Sequence, residues 1–136
     1  MSEGVEVHLL GDGWEPHVDE VDGELQYSIP VASGFVEMSF TFTISSAQLS
    51  VLLDDAYRRS VLHHALHTLL QRTMIRDGDP AMTQERFQSI VDRVLASPPD
   101  EVERFVDEVD AAHNIRLRVY VDRDLERLTA EGSQPA

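Results

Sequence analysis

The chain has 136 residues, of which 42% are hydrophobic and 26% charged, which fits one folded domain. It contains no cysteine and no lysine, which excludes disulfides, thiolate nucleophiles, cysteine-bound metals, a phosphate-loop lysine and a lysine Schiff base. With 25 acidic residues against 11 basic ones the formal charge is -14, and this charge opposes binding to nucleic acids and anionic membrane surfaces.

The first third of the chain alternates between apolar and polar residues, a pattern typical of β-strands. Strands are predicted at residues 5–10, 25–29 and 35–44. Residues 14–21 are ambiguous, with Pro16 favouring an edge position, and Asp22-Gly23 is a two-residue hairpin signal that follows them. In the third strand, one face is predicted to be core and the other to face solvent or a partner.

Apolar residues recur at helical spacing over residues 46 to about 72, which predicts a long helix with Ser45 or Ser46 as its N-cap. Its two apolar stripes do not superpose, which predicts a bend near residues 54–57. Asp55, Arg58 and Arg59 lie at this join. They are predicted either to form acid-to-base pairs along the helix or to turn one arginine inward, where it anchors a neighbouring loop.

Two amphipathic helices are predicted over residues 87–95 and after Pro98-Pro99. A strand is predicted at 115–121, where Ile115, Leu117 and Val119 alternate with polar residues, and then a short helix. The order predicts an α+β fold: a mainly antiparallel sheet of four or five strands, with three or four helices on one face. Residues 1–130 are expected to form one domain and residues 131–136 a flexible tail.

Three histidines, His63, His64 and His67, lie close together in the predicted long helix. His63 and His67 are one turn apart, the spacing that lets two imidazoles share a metal ion. The residue after His63 is not the glutamate of a zinc-protease motif, and the sequence has no nucleophile elbow and no glycine-rich phosphate loop. We therefore expect a polar helix face, no cofactor and no enzyme activity, with His63 and His67 as the metal candidates.

The acidic residues are unevenly distributed. Residues 1–57 contain 11 of them and no arginine, whereas residues 58–136 contain 14 acids and all 11 arginines. The acidity is either a solubilising surface or a recognition surface, and a one-signed surface speeds encounter with a cationic partner. Residues predicted to contact such a partner are Trp14, Glu15, Asp19, Glu20, Asp22, Glu24, Tyr27, Phe35 and Glu37.

These observations predict a cytoplasmic protein-binding domain: a bacterial inhibitor, either an immunity protein or an antitoxin, that neutralises a basic effector such as a nuclease toxin. Many nucleases are basic in order to hold their substrate, so an acidic inhibitor gains rate and specificity. The first alternative is a homo-oligomeric adaptor or structural domain, for example a homodimer through the long helix and the strand at 35–44. The second is a small metal-dependent enzyme that combines His63 and His67 with carboxylates.

Overall fold

The computed structural model describes residues 6–11 and 15–133, with side chains up to residue 127. In this part of the chain, four strands precede five α-helices: β1 (Glu6–Leu10), β2 (His17–Val21), β3 (Glu24–Ser33), β4 (Val36–Ile44), α1 (Ser46–Asp54), α2 (Ala56–Met74), α3 (Gln84–Val91), α4 (Pro99–His113) and α5 (Leu117–Ser133). A π-helical turn, Asp92–Ala96, continues α3. The strands form one antiparallel sheet in the order β1-β2-β3-β4. The predicted α+β class is confirmed.

The turn between β2 and β3 is formed by Asp22 and Gly23, as predicted. Both have positive φ angles, 52° and 81°, which gives the tight hairpin turn whose twist matches that of the flanking strands. The resulting register places Val18 opposite Tyr27, and Tyr27 opposite Phe42 on β4. These three side chains therefore share one face of the sheet and start the core.

The core lies between this sheet face and the helices. Phe42 stacks on Phe87 of α3 with ring centroids 4.3 Å apart, and Tyr27 also contacts Phe87. Helix α2 lies at the centre, with contacts to β3, α1, α4 and α5. Its buried residues are Ser60, Val61, Leu62, Ala65, Leu66, Leu69 and Leu70. The apolar residues predicted in α3 and α4 are buried as well.

The predicted break in the long helix lies at Asp55, which separates α1 from α2 and caps α2 by accepting from the Arg58 amide. Ser45 caps α1 in a capping box with Gln48. Arg58 pairs with Asp55, and its Nη1 donates to the carbonyls of Val94 and Ser97 at 3.0 and 2.6 Å. One arginine therefore does face inward and holds the end of the π-helical turn.

The predicted strand at 115–121 is wrong, because residues 117–121 form the start of α5 and residues 115–116 lie in the connection before it. Leu117 and Val121 are buried at helical i, i+4 spacing, so the apolar pattern fits a helix as well as a strand. The helical state also lets Arg118 pair with Glu103 and Asp107 of α4 at 2.8 and 2.7 Å. Tertiary ion pairs and burial therefore decide an assignment that the local pattern leaves open.

Helix α5 continues to Ser133, and residues 134–136 of the predicted tail lie outside the described residues. None of the described helices combines the length and apolarity needed to cross a bilayer.

Arg58→Ala is expected to lower the free energy of unfolding by about 2 to 4 kcal/mol, because two helix-end carbonyls lose a charged donor. Urea unfolding followed by circular dichroism measures this. Arg104→Ala is the control, since Arg104 is 64% exposed and pairs within its own helix, and should cost less than about 1 kcal/mol. Equal losses in the two variants would show that Arg58 does not anchor the π-helical turn.

Candidate functional site

Helices α2 and α5 bring three metal-ligating side chains together. His63 and His64 are neighbours on α2, and Asp124 lies on α5. The Oδ2 atom of Asp124 is 2.8 Å from His64 Nε2 and 3.9 Å from His63 Nδ1. One ligand atom from each of the three residues lies within 4.8 Å of the other two. We call these three residues the His-Asp cluster.

A hydrogen bond from Ser60 orients the carboxylate of the His-Asp cluster. Ser60 is 4% exposed, and its hydroxyl donates to Asp124 Oδ2 at 2.8 Å. His64 Nε2 bonds to the same oxygen at 2.8 Å. In a serine-nucleophile triad the histidine stands between the serine and the carboxylate. Here both side chains face the carboxylate, so the arrangement orients Asp124 and does not activate Ser60.

The environment sets the charges of the cluster. Burial, helped by the nearby His64, lowers the pKa of His63 to about 3, although Asp124 acts in the opposite direction. Burial and His64 also lower the pKa of His67. Burial alone would raise the pKa of Asp124, but hydrogen bonds from Ser60 and His64 bring it below its usual value. At neutral pH a neutral imidazole therefore lies beside an ionised carboxylate.

The two histidines of the cluster also line a cleft of about 490 Å³, a volume suited to a small molecule. Tyr120, which also lines the cleft, stacks on His64 with ring centroids 5.6 Å apart, and the residue is 48% exposed. The opposite wall is the part of β3 that β2 does not pair with. There Pro30 has no amide hydrogen, and Gln71 Nε2 donates to the Ala32 carbonyl at 2.7 Å. These features protect the strand edge against pairing with another chain.

A second candidate surface is the sheet face that points away from the helices. The register places Glu6, Asp19, Glu24 and Glu37 on this side, together with the hydroxyls of Ser28, Thr41 and Thr43. We call these four acids and their hydroxyl neighbours the acidic sheet face. Ser28 and Thr41 bond across the strands at 2.8 Å, and Asp19 lies 2.8 Å from His8 Nδ1.

Within the described residues, arginines pair with several acids of the helical layer but with none on the acidic sheet face. Within the described residues, none of the four acids of that face lies within ion-pair distance of an arginine. By contrast, Arg93 pairs with Glu101 and Glu108 at 3.0 and 2.9 Å, and Arg118 pairs with acids of α4. The excess of acids over arginines is thus larger in the strand-forming part of the sequence than in the helical part.

The turn between β3 and β4 carries exposed apolar side chains. Phe35 is fully exposed, Val36 is 56% exposed and Met38 is 47% exposed. The predicted core face of β4 is therefore buried only in its second half, at Phe42 and Ile44, where helices of the described chain cover it. We call Phe35, Val36 and Met38 the hairpin tip.

The other residues predicted to contact a partner lie in different surroundings. Glu20 is half-buried and Asp22 is exposed in the hairpin turn. Glu15 lies 3.7 Å from the guanidinium of Arg127. Tyr27 is 1% exposed, so it belongs to the core and cannot contact a partner of the folded protein. Trp14 lies outside the described residues.

The predicted histidine pair is not the one that the fold brings together with a carboxylate. His63 belongs to the His-Asp cluster, but His64 takes the place predicted for His67. Helical spacing favours i and i+4, whereas adjacent histidines normally diverge; here the rings of His63 and His64 stack with centroids 4.4 Å apart. No local signal in the sequence points to Asp124, which lies 60 residues further along the chain.

Comparison of the chain with protein-family models, with curated proteins and with solved structures found no match. Function is therefore inferred from the geometry of the His-Asp cluster and the acidic sheet face.

Acidification is expected to destabilise the protein through His63. The unfolded state takes up a proton near pH 6.5 and the folded state only near pH 3, so the contribution of His63 is complete above pH 6.5 and is lost as the pH falls. Between pH 7 and pH 5 this loss is roughly 2 kcal/mol. His64, His67, Asp124 and Arg127 face the same ring and add their own dependence.

Urea unfolding at both pH values, for the native protein and for His63→Gln, measures the contribution of His63. The variant should lose less stability than the native protein between pH 7 and pH 5. An identical loss in both proteins would show that His63 does not remain neutral in the folded state.

Proposed function

We propose that this protein is an acidic protein-binding domain that acts as a bacterial inhibitor, an immunity protein or antitoxin, and neutralises a basic effector such as a nuclease toxin by direct binding. The observation that carries the proposal is the acidic sheet face, whose four carboxylates have no arginine partner within the described residues. A protein that binds nucleic acid needs a cationic surface, and that surface is complementary to this one.

The shape of the acidic sheet face supports the same proposal. A sheet held by ladder hydrogen bonds presents its side chains on a rigid scaffold, so little conformational entropy is lost on binding. Ser28 and Thr41 already bond to each other, and Asp19 is oriented by His8. Carboxylates on such a scaffold favour rapid association and select the partner by charge.

The hairpin tip supplies the apolar contact that charge alone does not give. Strong interfaces depend on a few large apolar or aromatic anchors, with polar contacts around them. Phe35 is fully exposed and its neighbour Glu37 belongs to the acidic sheet face. In the proposed complex, Phe35 enters a pocket of the effector while the acids pair with its cationic surface.

The hairpin tip also favours the alternative of a homo-oligomer, because β4 is an edge strand with an exposed apolar end. Light scattering coupled to size-exclusion chromatography separates the two cases. The inhibitor proposal expects a monomer mass over a wide range of protein concentration, whereas a dimer mass that is lost in Phe35→Ser would support the alternative.

A triple charge reversal tests the acidic sheet face. The partner is first captured from lysate of the source cells at low and moderate salt, identified by mass spectrometry, and assayed for inhibition by the purified protein. Glu6→Arg, Glu24→Arg and Glu37→Arg together are expected to slow association with this partner by at least about 10-fold, with thermal unfolding little changed. Asp19, the fourth acid of this face, is left unchanged because it is half-buried and lies 2.8 Å from His8 Nδ1.

The matched control reverses three exposed acids of the helical layer, Asp54, Asp122 and Glu126. Its net charge changes by the same amount, so only the location differs. A retained rate in the control and a reduced rate in the sheet variant support the proposal. Equal effects in both variants, a partner that is not basic, or a partner whose activity is not inhibited would each contradict it.

A further inference from the structure

We propose that the His-Asp cluster is a binding site for a divalent ion of the zinc type, with His63, His64 and Asp124 as protein ligands and a water molecule as the fourth ligand. This site is separate from the acidic sheet face, because it lies between α2 and α5 on the helical side of the molecule. It does not depend on the proposed function.

The ligand set matches the chemistry of such an ion. Two imidazole nitrogens and one carboxylate oxygen, with one position left to water, is a common arrangement for open zinc sites. With metal-ligand bonds of about 2.0 to 2.2 Å, ligand atoms of a tetrahedral site lie roughly 3.3 Å apart. The distances of 2.8 and 3.9 Å from Asp124 Oδ2 to the two histidines bracket this value, so small side-chain movements complete the site.

A buried hydroxyl beside the cluster supports the proposal independently of the ligand distances. Tyr27 Oη is buried and has no hydrogen-bond partner among the described residues, although buried polar groups are nearly always paired. Tyr27 lines a small cavity together with Ser60, His63 and Asp124. The cavity has a volume of about 20 Å³, which is enough for one water molecule. A metal-bound water in this cavity gives the Tyr27 hydroxyl its partner.

The surroundings orient the ligands. Ser60 donates to Asp124 Oδ2, and such bonds from neighbouring groups fix the ligand orientation in metal sites. Arg127 is 3.7 Å from the other carboxylate oxygen, Oδ1, and equally close to Glu15, which offsets its charge. His64 Nε2 now bonds to Asp124, and on metal binding its proton moves to Nδ1, which leaves Nε2 as the ligand atom. His63 Nδ1 lies 3.9 Å from the same Asp124 oxygen, and the tautomer with its proton on Nε2 leaves Nδ1 as the ligand atom.

Titration of the purified full chain with Co²⁺, followed by competition with Zn²⁺, tests the site. Cobalt is expected to give the visible absorption of a four-coordinate nitrogen and oxygen site with one ion per chain, and zinc to displace it. His64→Ala is expected to weaken zinc binding by at least about 100-fold, since loss of a direct ligand exceeds the effect of an outer-shell change. His67→Ala is the matched control, because it removes a histidine from the same helix and cleft and should leave binding within about 3-fold of native.

Asp124→Asn is the second ligand variant and, like His64→Ala, is expected to weaken zinc binding. Circular dichroism verifies that each variant is folded. X-ray absorption of the zinc form counts the imidazoles, with two expected and the remaining ligands oxygen. Absence of one-to-one binding by the native chain overturns the proposal. Retained binding in folded His64→Ala, lost binding in His67→Ala, or three imidazoles in the absorption spectrum would each overturn it too, since each assigns the ion to a different ligand set.

Discussion

Helix α2 is packed on several sides at once, and the arrangement of the other elements follows from this. Its apolar residues lie against β3, while its flanks contact α1, α4 and α5. A helix in this position buries polar side chains as well as apolar ones, and a buried polar group is costly unless it is hydrogen-bonded. Ser60 and His64 obtain that partner from α5, in the form of Asp124. The His-Asp cluster therefore requires that α5 packs on α2.

The same packing explains the distribution of charge. Arginines occur only from residue 58 onward, and the fold places them where acids of the helical layer can pair with them. Arg58 also holds the end of the π-helical turn. On the acidic sheet face, Glu6, Glu24 and Glu37 are exposed to solvent, where salt screens their repulsion, and Asp19 is half-buried beside His8. The cost to stability is modest, and the surface keeps a single sign of charge.

The two proposed sites lie on different sides of the sheet and require different surroundings. The acidic sheet face needs exposure and rigidity, which a sheet covered on one side provides. The His-Asp cluster needs burial and converging ligands, which the junction of two helices provides. A metal ion there would link α2 to α5 and stabilise the helical layer by binding only the folded chain. The ion would not alter the charge of the acidic sheet face, so a negative result for one site leaves the other unaffected.

Much of this molecule follows from its sequence, because many of its signals are local. The Asp22-Gly23 turn, the Ser45 cap, the break at Asp55 and the buried residues of α3 and α4 all depend on neighbouring residues and on the periodicity of strand or helix. The uneven charge is likewise visible in the sequence. Three outcomes needed the tertiary structure, because each is non-local. The segment predicted as a strand at 115–121 is helical from Leu117, Tyr27 lies in the core, and Asp124 joins His63 and His64. These outcomes depend on contacts between segments far apart in the chain, and only packing decides between conformations that the local pattern permits equally.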